Sequence, residues 1–207
     1  MTTIVDLRAM LRVELSDSSA LRWADADLDR HLLRAARELS LALPMRRRTE
    51  LPTTSGDRVL ALASLADLLR VAAVEYPLAA EPPELVRFQR RAGELLLLTD
   101  EPPTGDPAAV YWDALHQLDA SGTTLDAAQQ EVVLLGAAGY AAQQLALAST
   151  DRVNLGGSDT PQRFAAEAER RLAAFRRLVL ALGRRRVGVR RLQRPALAEA
   201  EVTAPWS

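Results

Sequence analysis

The chain has no cysteine and no lysine, only two histidines, His31 and His116, and aromatics at 4% of its 207 residues. Missing thiols exclude disulfides, thiolate-held metals and cysteine nucleophiles. All 26 basic residues are arginine, which reflects either a bias in nucleotide composition or a use for the planar, bidentate guanidinium. Long hydrophobic runs are missing too. No apolar stretch approaches the roughly 18–20 residues that span a bilayer, and Asp6 and Arg8 break the first one, so no signal peptide is expected. A soluble, unsecreted protein without membrane contact is the expectation. The 48% of hydrophobic residues are mostly Leu, Ala and Val, a composition that favours helices packed through small side chains over an aromatic-rich β sandwich. The length suits one domain with an elaboration, or two small ones.

Charge is segregated along the chain. Eleven arginines between 163 and 194 face two acids, Glu167 and Glu169, whereas residues 1–162 hold fifteen arginines and twenty-three acids, and the total is −1. A basic terminal segment on an acidic body meets nucleic acid, an acidic partner or the acidic face of another copy, and charge alone does not choose among them.

Two helices are expected before Pro44. Thr3 with Asp6 forms a capping-box pattern, and Ile4, Leu7, Leu11 and Leu15 recur at helical spacing over 3–15. Asp25 and Asp27 suit the first turn of a second helix, whose apolar face runs through Leu28, Leu32, Ala35, Ala36, Leu39 and Leu43. Residues 45–56 read as a polar, Pro-bearing loop. Short apolar runs at 59–62, 69–76, 85–88, 94–98 and 109–112, separated by turn residues, predict a small antiparallel β-rich insert over 57–118, with one helical turn at 64–68. Helix returns over 122–183. Gly136 and Gly139 thin the middle of a long apolar segment, and since glycine costs about 1 kcal/mol against alanine in a helix interior, another backbone is expected close by. A loop at 151–159 precedes Thr160-Pro161, a cap followed by proline at the first helical position. Phe164, Ala168, Leu172 and Phe175 continue that helix to a stop at Gly183. Residues 184–207 read as an extended arm. The fold class expected is α+β, mainly α: a helical core of about four helices over 1–44 and 122–183, the small β insert, and the basic C-terminal arm.

No catalytic, cofactor or metal constellation emerges. His31 with Asp27 four residues before it reads as a surface pair, and His116 has no second histidine or acid at metal spacing. Phosphate-binding glycine motifs do not occur. Asp25, Asp27 and Asp29 do not converge on a cation when carried by one helix. Arg170, Arg171, Arg176 and Arg177 fit the polar side of an amphipathic helix. Arg184, Arg185, Arg186, Arg190, Arg191 and Arg194 lie past the expected stop without local acids, and read as partner contacts; Trp206 offers a hydrophobic anchor.

The segment Trp23-Ala24-Asp25-Ala26-Asp27-Leu28-Asp29-Arg30-His31-Leu32, running into Ala35-Ala36-Arg37-Glu38-Leu39-Ser40, resembles the head-tail connector, or adaptor, proteins of tailed bacteriophages. Residues 131–142, with Gly136 and Gly139, are similar to that family's small-residue central helix. The resemblance covers about 1–44 and 120–194, and the insert at 57–118 is larger than the family's minimal plan. It implies a virion protein, not an enzyme and without cofactor, that forms a homo-oligomeric ring on the portal protein. Such a ring extends the channel through which the genomic double-stranded DNA passes and docks tail, neck or tail-stopper proteins. The location implied is the virion neck between capsid and tail, after assembly in the host cytoplasm. By position, Trp23, Leu28, Gly136 and Gly139 would serve helix packing and the oligomer, and the arm from Arg184 would reach the portal. The other class these residues allow is a nucleic-acid-binding or regulatory module that uses the same C-terminal arginines.

Overall fold

The computed structural model describes residues 2–78, 80, 82–149 and 161–192, with the backbone alone for 185–192. Helices α1 (Ile4–Glu14) and α2 (Asp25–Ala42) lead into six strands, β1 (Met45–Leu51), β2 (Val59–Ala61), β3 (Leu68–Glu75), β4 (Leu85–Arg91), β5 (Glu94–Leu98) and β6 (Ala108–Ala114). Helices α3 (Ala127–Ala148) and α4 (Pro161–Leu192) follow.

Local sequence explains the helix starts. Thr3 Oγ1 accepts from the Asp6 amide at 3.3 Å, and Asp6 Oδ2 accepts from the Thr3 amide at 2.8 Å, the expected capping box. Asp126 and Gln129 form a second one at the head of α3. The helical core is built around α3, which has no polar side: Val132, Val133, Leu134 and the run from Gly136 to Ala142 are all buried. By length and composition α3 could cross a membrane, with a mean hydropathy of 1.2, yet 61% of that stretch is buried under α1, α2 and α4.

The two glycines lie against α4. A Cβ added at Gly136 would meet the Phe175 ring at 2.9 Å, and one at Gly139 would meet Leu172 Cγ at 2.8 Å. These pairings run antiparallel, so with the same rise per residue in both helices Ala127 falls level with about residue 184. The 32 residues of α4, about 48 Å, therefore overrun the end of α3 by about 12 Å.

The strands form one antiparallel sheet in the order β1-β6-β3-β4-β5-β2, curled into a half-barrel over its own apolar cluster of Leu51, Val74, Leu95, Leu97, Val110 and Trp112 among others. The expected fold class, mainly α with a small β insert, is thereby corrected: the chain is 44% helix and 23% strand, and the sheet carries a hydrophobic core of its own. The main reason is β1, which reads as a polar loop because arginine and threonine occupy half of its inward positions. Met45, Arg47, Thr49 and Leu51 point inward, the Arg47 guanidinium lies 5.7 Å from the Trp112 ring centre, and Trp112 Nε1 donates to Thr49 Oγ1 at 3.0 Å. Over the expected 64–68 the chain makes turns and enters β3 at Leu68, with no helical turn.

The extended arm expected from Arg184 is also corrected, since α4 continues through Gly183 to Leu192. Gly183 sits where the Ala42 carbonyl approaches, 3.3 Å from the position a Cβ would take, and the arginines after it are good helix formers. The expected loop at 151–159, the Thr160 cap, Arg194 and Trp206 lie outside the described residues.

Gly136→Ala adds helix propensity but drives a methyl into Phe175. Overpacking of this kind costs about 1–3 kcal/mol, so the variant is expected to lower the urea midpoint at unchanged slope, where an exposed glycine replaced by alanine would raise it.

Candidate functional site

Three surfaces of the helical core carry chemistry: the α1–α2 corner, a groove between α2 and α3, and the arginine-bearing end of α4. At the corner, Arg8 and Arg12 turn inward from α1. Arg8 pairs with Asp25 and reaches Asp29 at 3.1 Å, while Arg12 binds Asp17 at 2.8 Å, Asp25 at 2.6 Å and the Trp23 carbonyl at 3.0 Å. Asp17, itself buried, accepts from the amides of Leu21 and Arg22 at 2.9 and 3.0 Å, which shapes the turn before α2. The Arg12 guanidinium and its hydrogen bond hold the exposed Asp25 carboxyl below the usual range. Asp25 and Asp29 thus face arginines of α1, while Asp27 pairs with Arg30 of its own helix at 3.0 Å.

The residues expected to pack helices are all used within one chain. Trp23 is buried and its Nε1 donates to the Ala141 carbonyl at 3.1 Å; Leu28 is fully buried; Gly136 and Gly139 admit α4. None of the four is presented on the surface to a second copy.

The groove has a volume of about 450 Å³ and is lined by Arg30, His31, Arg34, Tyr140, Gln143, Gln144, Leu147 and Ala148. Sequence reading missed it, because it paired His31 with Asp27. Instead His31 is buried, its Nε2 lies 2.6 Å from Gln144 Oε1, and its ring stacks on Tyr140 with centres 6.4 Å apart. The Tyr140 hydroxyl donates to Glu38 Oε1 at 2.5 Å, and the Arg34 guanidinium covers the ring at 3.9 Å. Burial first and the Glu38 hydrogen bond second push the Tyr140 hydroxyl up to about 12. The signal that could have found the groove is the spacing of His31, Arg34 and Glu38 on one face of α2, matched by Tyr140 and Gln144 four apart on α3.

On α4, Arg170 and Arg171 both bind Glu167, the latter at 2.5 Å, and Arg171 also reaches Glu14 of α1 at 3.4 Å. Arg176, Arg177 and Arg184 are exposed, and the backbone of Arg185, Arg186, Arg190 and Arg191 continues the helix. His116 serves neither groove nor helix end. Its Nε2 is 3.0 Å from the Leu43 carbonyl, its Nδ1 is 3.1 Å from Thr124 Oγ1, and its amide donates to Ser40 Oγ at 3.0 Å. A carbonyl only accepts, so Nε2 carries a proton and donates to Leu43. Among the described residues, no group of three or more His, Asp or Glu is placed to hold a metal ion. No protein-family model matches the chain, and no curated protein matches it.

Burial, the largest cause, lowers the pKa of His31 from its ordinary 6.5. Its folded form therefore resists protonation that the unfolded chain accepts. Stability is complete above about pH 6.5 and falls as the pH drops from there toward the lowered folded value. Chemical denaturation at pH 7.5 and 5.5 is expected to show this loss, and His31→Gln, which keeps a partner for Gln144, is expected to reduce it.

Proposed function

We propose that this chain is a structural protein of a tailed-bacteriophage virion, a head-tail connector that assembles as a ring on the portal, extends the DNA channel and offers the docking surface for tail or tail-stopper components. The observation that carries the reading is α4. A helix of about 48 Å is clamped to the body through Leu172 and Phe175 and overruns α3 by about 12 Å, with Arg184, Arg185, Arg186, Arg190 and Arg191 on its last turns. Such a helix carries a basic tract beyond the end of α3 on one regular backbone, a form suited to engaging an acidic surface on another ring. The positional resemblance of 1–44 and 120–194 to connector proteins supports the same reading, as does the structural use of both histidines.

The helical form of the arginine tract also favours a second reading, duplex DNA binding, because a helix with arginines on successive turns can reach phosphates across a groove. The two readings separate experimentally. Mixed with the portal ring encoded in the same genome, the chain is expected to add one copy per portal subunit in native mass spectrometry. Deleting residues 184–207 is expected to abolish this uptake while circular dichroism shows a folded body, and unchanged uptake would overturn the role of the arginine end. Failure of the intact chain to bind the portal, together with duplex affinity that falls steeply with salt, would put the DNA-binding reading in its place.

A further inference from the structure

The helices pack chiefly among themselves and the strands among themselves. The apolar side chains of the helical cluster all lie in 4–43 or 118–182, and those of the sheet cluster in 51–114. Between the two clusters the chain crosses twice, and the crossings lie side by side. Outward, Pro44 ends the helical run and leads into β1. Inward, β6 ends at Ala114, which pairs in register with Met45 at the start of β1. Backbone bonds mark where each body stops. The Leu43 amide still donates to Leu39 of α2 at 2.7 Å, and the Leu115 amide donates to the Asp67 carbonyl of the sheet at 3.3 Å. Beyond Gln117, Leu118 and Leu125 are buried in the helical cluster, and the Ile4 amide donates to the Asp119 carbonyl at 3.0 Å. The crossings are thus Pro44 on the way out and His116 with Gln117 on the way back.

His116 ties these crossings together. Its Nε2 donates to the Leu43 carbonyl at 3.0 Å, its amide donates to Ser40 Oγ at 3.0 Å, and its Nδ1 lies 3.1 Å from Thr124 Oγ1. The way back from the sheet is thereby bound both to the end of α2 and to the segment before α3. Arg47 of β1 adds an exposed strut to Gln117 Oε1 at 3.3 Å.

We propose that the sheet is a hinged block: β1 to β6 turn together as one body against the helical core about Pro44 and His116–Gln117, and the bonds of His116 hold the block in the orientation seen. Two bodies with separate apolar cores move relative to each other by default, unless a large hydrophobic interface prevents it. The block stays intact as it turns, because the pairing of Met45 with Ala114 belongs to the sheet itself. A polar joint suits a hinge. Water replaces its hydrogen bonds when it opens, whereas apolar surface pulled apart has no such substitute. The hinge goes beyond the connector reading and does not depend on it; its consequence is that the outer face of the sheet takes more than one angle to the α4 arginines.

The chain has no cysteine, so pairs of introduced cysteines carry spin labels without background. Val13→Cys with Leu147→Cys spans the helical core, Glu50→Cys with Ala61→Cys spans the two edge strands of the sheet, and Leu147→Cys with Ala61→Cys spans the joint; each position is exposed. Pulsed double electron–electron resonance reads the distance distribution of each pair in the full chain. It is recorded with His116 in place, in His116→Ala, which removes the ring bonds, and in Thr124→Val, which keeps the ring and removes one of its partners. The expected result is a cross-joint distribution that widens by about twofold in at least one of the two variants, while both within-body widths stay as they were. Any other pattern overturns the proposal. A cross-joint width that stays constant places the orientation in contacts other than those of His116, and widening of all three pairs makes the joint part of a common core.

Discussion

A helix without a polar side cannot lie at a surface, and the helical half of this protein follows from enclosing α3. The buried run from Gly136 to Ala142 covers nearly two turns with small side chains, so its neighbours must come close to remove it from water. Glycine at 136 and 139 lets Phe175 and Leu172 settle against bare backbone, a contact that a methyl would hold off. On another side the Trp23 indole donates to the Ala141 carbonyl, whose second lone pair is open after its helical bond. That bond ties the start of α2 to the middle of α3. The positions of α1, α2 and α4 are thus set by one apolar cylinder, and the outward-facing groups of those helices are what remains for partners.

The sheet has a hydrophobic cluster separate from that of the helices, and a small polar joint connects the two. Between β6 and α3, the His116 ring meets Thr124 Oγ1 through Nδ1 and donates through Nε2 to the carbonyl of Leu43, the residue that caps α2, while its amide donates to Ser40 Oγ. Ser40 also donates to the Ala36 carbonyl one turn back, so the hydroxyl is oriented before it meets the joint. An imidazole fits there because its two ring nitrogens meet two separate partners from a single rigid ring.

Much of the helical order was legible in the sequence. The capping box at Thr3, the apolar stripe from Leu28 to Leu39 and the demand of Gly136 and Gly139 for a close backbone are local or periodic signals, and local physics decides them. What was not legible depends on partners far along the chain. β1 hides its alternation because Arg47 and Thr49 fill inward positions, which makes sense only once Trp112 is known to lie opposite. Gly183 reads as a helix stop, and only the nearby Ala42 carbonyl shows why a missing side chain is tolerated in mid-helix. The α2–α3 groove joins residues more than a hundred positions apart, and the apparent pairing of His31 with Asp27 concealed it.

The two outer strands of the sheet bear on what can pair with its edges. β2 is only three residues long, and β1 carries Arg46, Arg47 and Arg48 in succession. Short and charged borders of this kind discourage the hydrogen-bonded extension of one sheet by another. The edges of the curled sheet therefore give a second chain little to extend, and the sheet stands as a self-contained block.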